Sequence, residues 1–240
     1  GCSIDKLSPS GNPVQLVAST STGLGSVFSS SFAVTVGPAT KVAFTTQPTT
    51  ATVAQTFPVA PVVSIQDAGG NTVTTGVSST ATVTLALGSN PGGGTLTCSG
   101  GLTKAAVAGV ATFTGCSIDR AGSPYTLVAS SVGLASATSS PFSVGLVPAT
   151  ITLVRSRGMI TYGESVTFSV QLGPNGGNRP IALEYHSAGA PFTTIANLVT
   201  NGSGFASFTY AATRTGYVRA RFAGATDLGA ATSPVYIVGV

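Results

Sequence analysis

The sequence predicts an all-β chain of tandem sandwich domains whose first domain is incomplete. Three observations carry that expectation. Apolar residues recur with period two over short runs bounded by Gly, Pro, Asn and Ser. No segment sustains a capped 3.6-residue period, so helix is expected to be almost absent. Finally, a stretch of about 110 residues repeats within the chain, the size of a whole sandwich domain.

The repeat is read directly from the residues. Gly1-Cys2-Ser3-Ile4-Asp5-Lys6 recurs as Gly115-Cys116-Ser117-Ile118-Asp119-Arg120, and Leu16-Val17-Ala18-Ser19 recurs as Leu127-Val128-Ala129-Ser130. Phe32-Ala33-Val34 and Pro38-Ala39-Thr40 return as Phe142-Ser143-Val144 and Pro148-Ala149-Thr150. Residues 1–37 are therefore expected to be the C-terminal portion of one domain, 38–147 a complete domain and 148–240 a divergent one. The Pro-Ala-Thr triplets mark the junctions, and linkers this short point to a semi-rigid arrangement.

Within the complete copy, Ala81, Val83, Leu85 and Leu87 alternate with Thr82, Thr84 and Ala86, and Tyr125, Leu127 and Ala129 alternate with Thr126 and Val128. Asp67-Ala-Gly-Gly-Asn71, between Val63/Ile65 and Val73, reads as a hairpin turn. The divergent unit gives seven strands, at 150–154, 164–172, 181–186, 193–199, 205–211, 217–222 and 235–238. In the sixth, Val218, Ala220 and Phe222 are expected to face the core, and Arg219 and Arg221 to face water.

Composition narrows the function classes. Charged residues make up only 7% of the chain, against about 25% in ordinary domains, so the polar surface must be built from Ser, Thr, Gly and Asn. The net charge of +4 comes from ten basic residues spread thinly, without the cluster that nucleic acid or anionic lipid requires. No stretch approaches the roughly 18 to 20 apolar residues of a membrane helix, so membrane insertion is not expected. Ser/Thr richness, the absence of Trp and one plausible Cys pair fit an extracellular or cell-surface protein.

Two sets of motifs carry a family resemblance. Val63-Ser-Ile-Gln-Asp67-Ala-Gly-Gly-Asn71 and Gly109-Val-Ala-Thr-Phe113-Thr-Gly-Cys-Ser-Ile118-Asp-Arg-Ala-Gly122 resemble the bacterial immunoglobulin-like repeats of large surface proteins, of invasin and filamin type. Tyr162-Gly-Glu-Ser-Val-Thr167 and Tyr217-Val-Arg-Ala-Arg-Phe222-Ala-Gly224 resemble a second bacterial Ig-like class. The resemblance implies tandem Ig-like sandwiches acting as spacers, fibre subunits or adhesin stalks, and says nothing of a ligand.

Cys98 follows a strand and Cys116 is expected in the loop after the next one. A disulfide is the simplest pairing, with buried free thiols as the alternative. Cys2 stands at the position of Cys116, so its partner is expected upstream of Gly1, outside the chain. Two strands cannot bury an apolar face alone. Residues 1–37 therefore call for completion, by upstream domains of the same polypeptide or by strands from a neighbouring copy.

The chemistry-bearing residues are few. His186 is the only histidine, which removes a two-His metal site. It is expected to point outward with Glu184, beside Arg219 and Arg221, in a surface charge cluster. The six acidic residues, Asp5, Asp67, Asp119, Glu164, Glu184 and Asp227, show no spacing of a paired general acid and base. An Asx-type turn accounts for the Asp67 loop without calcium. Asn201-Gly-Ser203 fits a glycosylation sequon, although a tight hairpin turn explains the same residues. Gly92-Gly-Gly94 and Gly173-Pro-Asn-Gly-Gly177 lack the helix and Lys-Ser/Thr of a phosphate loop.

The expected function is thus non-enzymatic, with no catalytic residue, metal or cofactor: an extracellular fibre subunit or adhesin stalk. Accessory domains of a larger secreted enzyme, binding a surface glycan or a host or cell partner, are the alternative.

Overall fold

Side-chain alternation decides the strands locally. In Thr82–Leu87, Val83 and Leu85 are buried while Thr82 and Ala86 are exposed, as a period of two dictates. The computed structural model describes Ile4, residues 13–19, Ser21 and residues 25–240. It divides into two compact units, Gly1–Val144 and Gly145–Val240. Cys2 and Asp5 lie outside the described residues.

The first unit opens with a hairpin of β1 (Val17–Ala18) and β2 (Val27–Phe28). It continues through β3 (Lys41–Thr46), β4 (Ala51–Thr52), β5 (Val62–Gln66), a 3-10 turn (Val77–Thr80) and β6 (Thr82–Leu87). Next come β7 (Leu96–Cys98), β8 (Thr103–Ala105), β9 (Val110–Thr112) and β10 (Cys116–Ile118). The last strands are β11 (Gly122–Tyr125), β12 (Leu127–Ser130), β13 (Ala137–Thr138) and β14 (Phe142–Gly145).

From β3 onward these strands make a sandwich. One sheet has the order β3-β5-β9. The opposing layer combines β13-β12-β6-β8 with β11-β14-β4, since β11 and β12 are two halves of one strand interrupted at Thr126. Val42, Val63, Ile65 and Ala111 from the first layer are buried together with Val83, Leu85, Tyr125, Leu127 and Phe142 from the second. Full burial of each large apolar side chain contributes roughly 1.5–3 kcal/mol.

Tyr125 anchors one end of this core. Its ring is fully buried and 6.1 Å from Phe142, and its hydroxyl donates to the Arg120 carbonyl at 3.0 Å. This is the corner arrangement of Ig-like sandwiches, in which a tyrosine ties its strand to the chain just upstream. It also explains the glycine at position 92. A Cβ on Gly92 would lie 2.3 Å from the Ala121 carbonyl oxygen and 2.4 Å from the Tyr125 hydroxyl.

The second unit contains β15 (Thr150–Arg155), β16 (Ser165–Gly173), β17 (Pro180–Ser187) and β18 (Thr193–Val199). They are followed by β19 (Phe205–Ala211), β20 (Gly216–Phe222), β21 (Ala231–Thr232) and β22 (Tyr236–Val238). The sheet β15-β16-β19 faces β18-β17-β20, with β21 and β22 both on the free edge of β20. All seven strands read from the sequence are present within a residue or so of the expected bounds, with β21 added. The core holds Leu153, Phe168, Leu172, Ile181, Leu183 and Phe222. Both units are immunoglobulin-like β-sandwiches.

Two local expectations need correction. Cys116 is not in a loop: it begins β10, and two strands rather than one separate it from Cys98. The turn at Asn201 is not a hairpin within one sheet, because β18 pairs only with β17 and β19 only with β16. It carries the chain between the layers. Its left-handed residue is Gly204, at φ +84°, rather than the Asn-Gly pair.

Candidate functional site

The serine hydroxyls at the end of each sandwich reveal an element used three times. In the first unit, Leu127 N–H donates to Ser139 Oγ at 2.9 Å, and that hydroxyl donates to the Ser140 carbonyl at 2.9 Å. In the second unit, Ala220 N–H donates to Ser233 Oγ at 2.9 Å, and the hydroxyl to Pro234 O at 2.8 Å. In the opening hairpin, Leu16 N–H donates to Ser29 Oγ at 2.9 Å, and the hydroxyl to Ser30 O at 2.8 Å. The serine hydroxyl stands in for a ladder carbonyl where the last strand breaks.

Strand register agrees throughout. Two residues before each donor, Tyr125 pairs with Phe142, Val218 with Tyr236 and Val14 with Phe32. One residue after it, Val128 pairs with Thr138, Arg221 with Thr232 and Val17 with Phe28. Residues 13–19 and 25–32 thus share the strand register of the hairpins that close the two sandwiches. The repeated Leu-Val-Ala-Ser and Phe were legible in the sequence. The serine was not, because nothing distinguishes it among so many.

The surroundings of the three hairpins differ. β12 pairs along β6, from Leu127 opposite Leu87 to Ser130 opposite Thr84, and β14 pairs with β4. Among the described residues β1 and β2 pair only with each other. Leu127 is fully buried; Leu16, its counterpart, is 53% exposed, and Val27 is 69% exposed.

The disulfide lies within the central sandwich. Cys98 and Cys116 face each other directly across β7 and β10, with the sulfurs bonded at 2.02 Å. Cys116 is buried on the core side next to Ile118.

The Asp67 turn ties the hairpin segment to the central sandwich. The carboxylate accepts from Gly37 N–H at 2.9 Å, from Asn71 N–H at 2.9 Å and from the Asn71 amide at 3.0 and 3.2 Å. These donors, the Asn71 amide foremost and then the Gly37 N–H, lower its pKa from 3.8 to about 2. A shallow hollow of about 230 Å³ opens beside it, walled by Ile4, Val34, Gly37 and Asn71.

On the second unit, β17 and β20 bring Glu184 opposite Arg219 and His186 opposite Tyr217. Arg219 Nε donates to Glu184 at 2.6 Å, and Arg221 Nη1 lies 3.9 Å from the other carboxylate oxygen. The expectation that Glu184 faces water fails: it is only 8% exposed. Both arginines close on the carboxylate, and aromatic side chains crowd the same face. Phe192, ahead of β18, packs edge-on against His186 at 4.4 Å and under the Arg219 guanidinium at 3.9 Å. His186 in turn stacks on Tyr217 at 4.7 Å. The sequence showed the charges but not the aromatic neighbour, which a loop brings in.

Asn201 is exposed, and its side-chain oxygen accepts from Ser203 N–H, the Ser203 hydroxyl and Phe205 N–H at 2.8–3.0 Å. Among the described residues no three His, Cys, Asp or Glu side chains gather as metal ligands. No described helix is long and apolar enough to cross a membrane.

No protein-family model and no curated protein matches the chain. Solved structures similar to it include the D0-D1 domain of intimin, at 14% identity and a TM-score of 0.33, over 84% of this chain and 99% of that one. The Yersinia pseudotuberculosis adhesin InvE is similar at 14% identity and a TM-score of 0.38, over 83% of this chain and 59% of that one. A C-terminal 282-residue fragment of intimin, in complex with the intimin-binding domain of the translocated intimin receptor, is 14% identical with a TM-score of 0.32. That match covers 85% of this chain and 64% of the fragment.

Proposed function

We propose that the chain is a non-enzymatic structural segment of an extracellular or cell-surface protein, built by serial addition of Ig-like sandwiches and serving as an adhesin stalk or fibre subunit. The observation that supports this most directly is the closing hairpin, which occurs three times with one register and one serine contact. Serial repetition of a self-contained fold extends a chain without adding chemistry. A surface with so few charges also resists lateral packing weakly, which suits a fibre.

Immunogold labelling of intact cells of the source organism, with an antibody against the second unit, tests the placement. Labelling without permeabilisation is expected. Signal only after permeabilisation would refute an external location. Negative-stain images of labelled cells then separate fibres, as continuous gold-decorated filaments, from stalks, as gold confined to the cell boundary.

A second reading is partner or glycan binding by an accessory domain of a larger secreted enzyme. It is favoured by the face of the second unit where Phe192 packs against the Arg219 guanidinium and His186 stacks on Tyr217. Aromatic faces beside a cation suit sugars and polar partners. A glycan-array signal lost in Tyr217→Ala would establish it.

A further inference from the structure

We propose that the hairpin of residues 13–19 and 25–33 is an acceptor: the closing element of a third sandwich, whose exposed face and β1 edge take a half-sandwich of the same repeat type, the counterpart of residues 38–114. The proposal rests on the modular reading above and specifies what completes the first module. The central unit is the template. There the same hairpin pairs its inner edge with β6 and its outer edge with β4, while its apolar face packs on the β3-β5-β9 layer.

The register carries over position by position. Leu16, Val17, Ala18 and Ser19 await a strand like β6, whose Leu87, Ala86, Leu85 and Thr84 pair with Leu127, Val128, Ala129 and Ser130. The occupant must also present a cysteine. Cys116 pairs with Cys98 across β10 and β7, and Cys2 stands at the Cys116 position of the repeat, so the arriving segment brings the counterpart of Cys98. Chain closure favours an occupant carried on the same polypeptide over one carried on a second copy. In the central unit only Phe113, Thr114 and Gly115 join β9 to β10, and so short a closure costs little loop entropy.

The test fuses residues 38–114 ahead of Gly1 of the full 240-residue chain. Non-reducing peptide mapping is expected to link Cys2 to the Cys98 of the added copy. Hydrogen exchange at Leu16–Ala18 is expected to slow by about two orders of magnitude relative to the unfused chain. The slowing persists when Cys2 is replaced by Ser, because packing and strand pairing carry it. A Cys2 that stays open to alkylation, with exchange at Leu16–Ala18 unchanged, overturns the proposal.

Leu16→Asp in the unfused chain gives an independent check. An open face predicts an unchanged unfolding midpoint and weaker binding of a hydrophobic dye, whereas a lowered midpoint means that the face is already packed, against the proposal. A concentration-dependent dimer of the unfused chain that protects Leu16–Ala18 also overturns it, since a second copy then supplies the cover. None of these outcomes bears on cell-surface placement, so the two readings fail separately.

Discussion

Leu16 and Leu127 make the same hydrogen bond in the same hairpin, each donating its N–H to a serine hydroxyl at 2.9 Å, yet Leu127 is fully buried and Leu16 is 53% exposed. The contact itself is therefore local, and its energetic weight depends on what lies over it. Ser139→Ala leaves the Leu127 N–H without an acceptor in a dry interior and is expected to cost about 1–3 kcal/mol. Ser29→Ala leaves a donor that water can reach, and is expected to change global stability by less than about 0.5 kcal/mol. Urea unfolding of the two variants, followed at the Tyr125 environment, measures the contrast.

The Cys98–Cys116 bond closes a loop with a sequence separation of 18 residues. Cys98→Ser with Cys116→Ala is expected to destabilise the first unit by about 3 kcal/mol, through the added freedom of its unfolded chain. The second unit has no cysteine and is expected to keep its midpoint. Resolved denaturation of the two units, with and without reductant, checks both halves.

Arg219 and Arg221 flank one carboxylate in unequal settings. The Arg219 side chain is 30% exposed and Glu184 only 10%, so Arg219→Met removes the partner of a buried charge and is expected to cost about 1–3 kcal/mol. Arg221 is 56% exposed at 3.9 Å, and Arg221→Met is expected to fall within about 0.5 kcal/mol of wild type. Thermal unfolding of the single variants ranks them, and the Glu184/Arg219 double-mutant cycle isolates the pair.

Asp67 sets a pH dependence. Its folded pKa of about 2 lies below the ordinary 3.8, so the fold favours the carboxylate. That contribution is complete above about pH 4 and is lost as pH falls from about 4 to about 2. The Gly37 amide resonance is expected to titrate with a midpoint near 2, and stability to decline over the same interval. In Asp67→Asn the amide shift is expected to be flat, and the stability difference from wild type to vanish at the acid end.

Ala108 sits at φ +48° in the two-residue turn closed by hydrogen bonds between Val107 and Val110. An alanine in the left-handed region is strained, and Asn tolerates it. Ala108→Asn is expected to raise stability by about 0.5–1 kcal/mol. The neighbouring Gly109 has no such latitude, because a Cβ there would lie 2.4 Å from the Val73 carbonyl oxygen. Gly109→Ala is expected to destabilise, and melting curves of the two variants should move in opposite directions.

Period-two alternation made the strands and their faces legible: Val218, Ala220 and Phe222 are buried where the pattern put them, and Arg219 and Arg221 lie on the other side. Alternation is a property of neighbours in sequence. It could not reveal that Phe192 packs against His186 and Arg219 beside Glu184, or that the Asn201 turn passes from one sheet to the other. Those facts depend on layer membership, which is decided by packing between distant strands. Ser29, Ser139 and Ser233 are hidden for a related reason, since a hydroxyl acquires its meaning only when a strand breaks opposite it.

The serine closure also differs in kind from the other fasteners in the molecule. A disulfide answers to reductants, an ion pair to salt and the Asp67 carboxylate to acid. An aliphatic hydroxyl titrates nowhere in the physiological range, takes part in no thiol exchange and is not screened by counterions. The contacts at Ser139 and Ser233 therefore do not answer to reductant, salt or moderate acid, whereas the disulfide, the Arg–carboxylate pairs such as Arg219–Glu184 and Arg179–Asp227, and the Gly37–Asp67 tie each do.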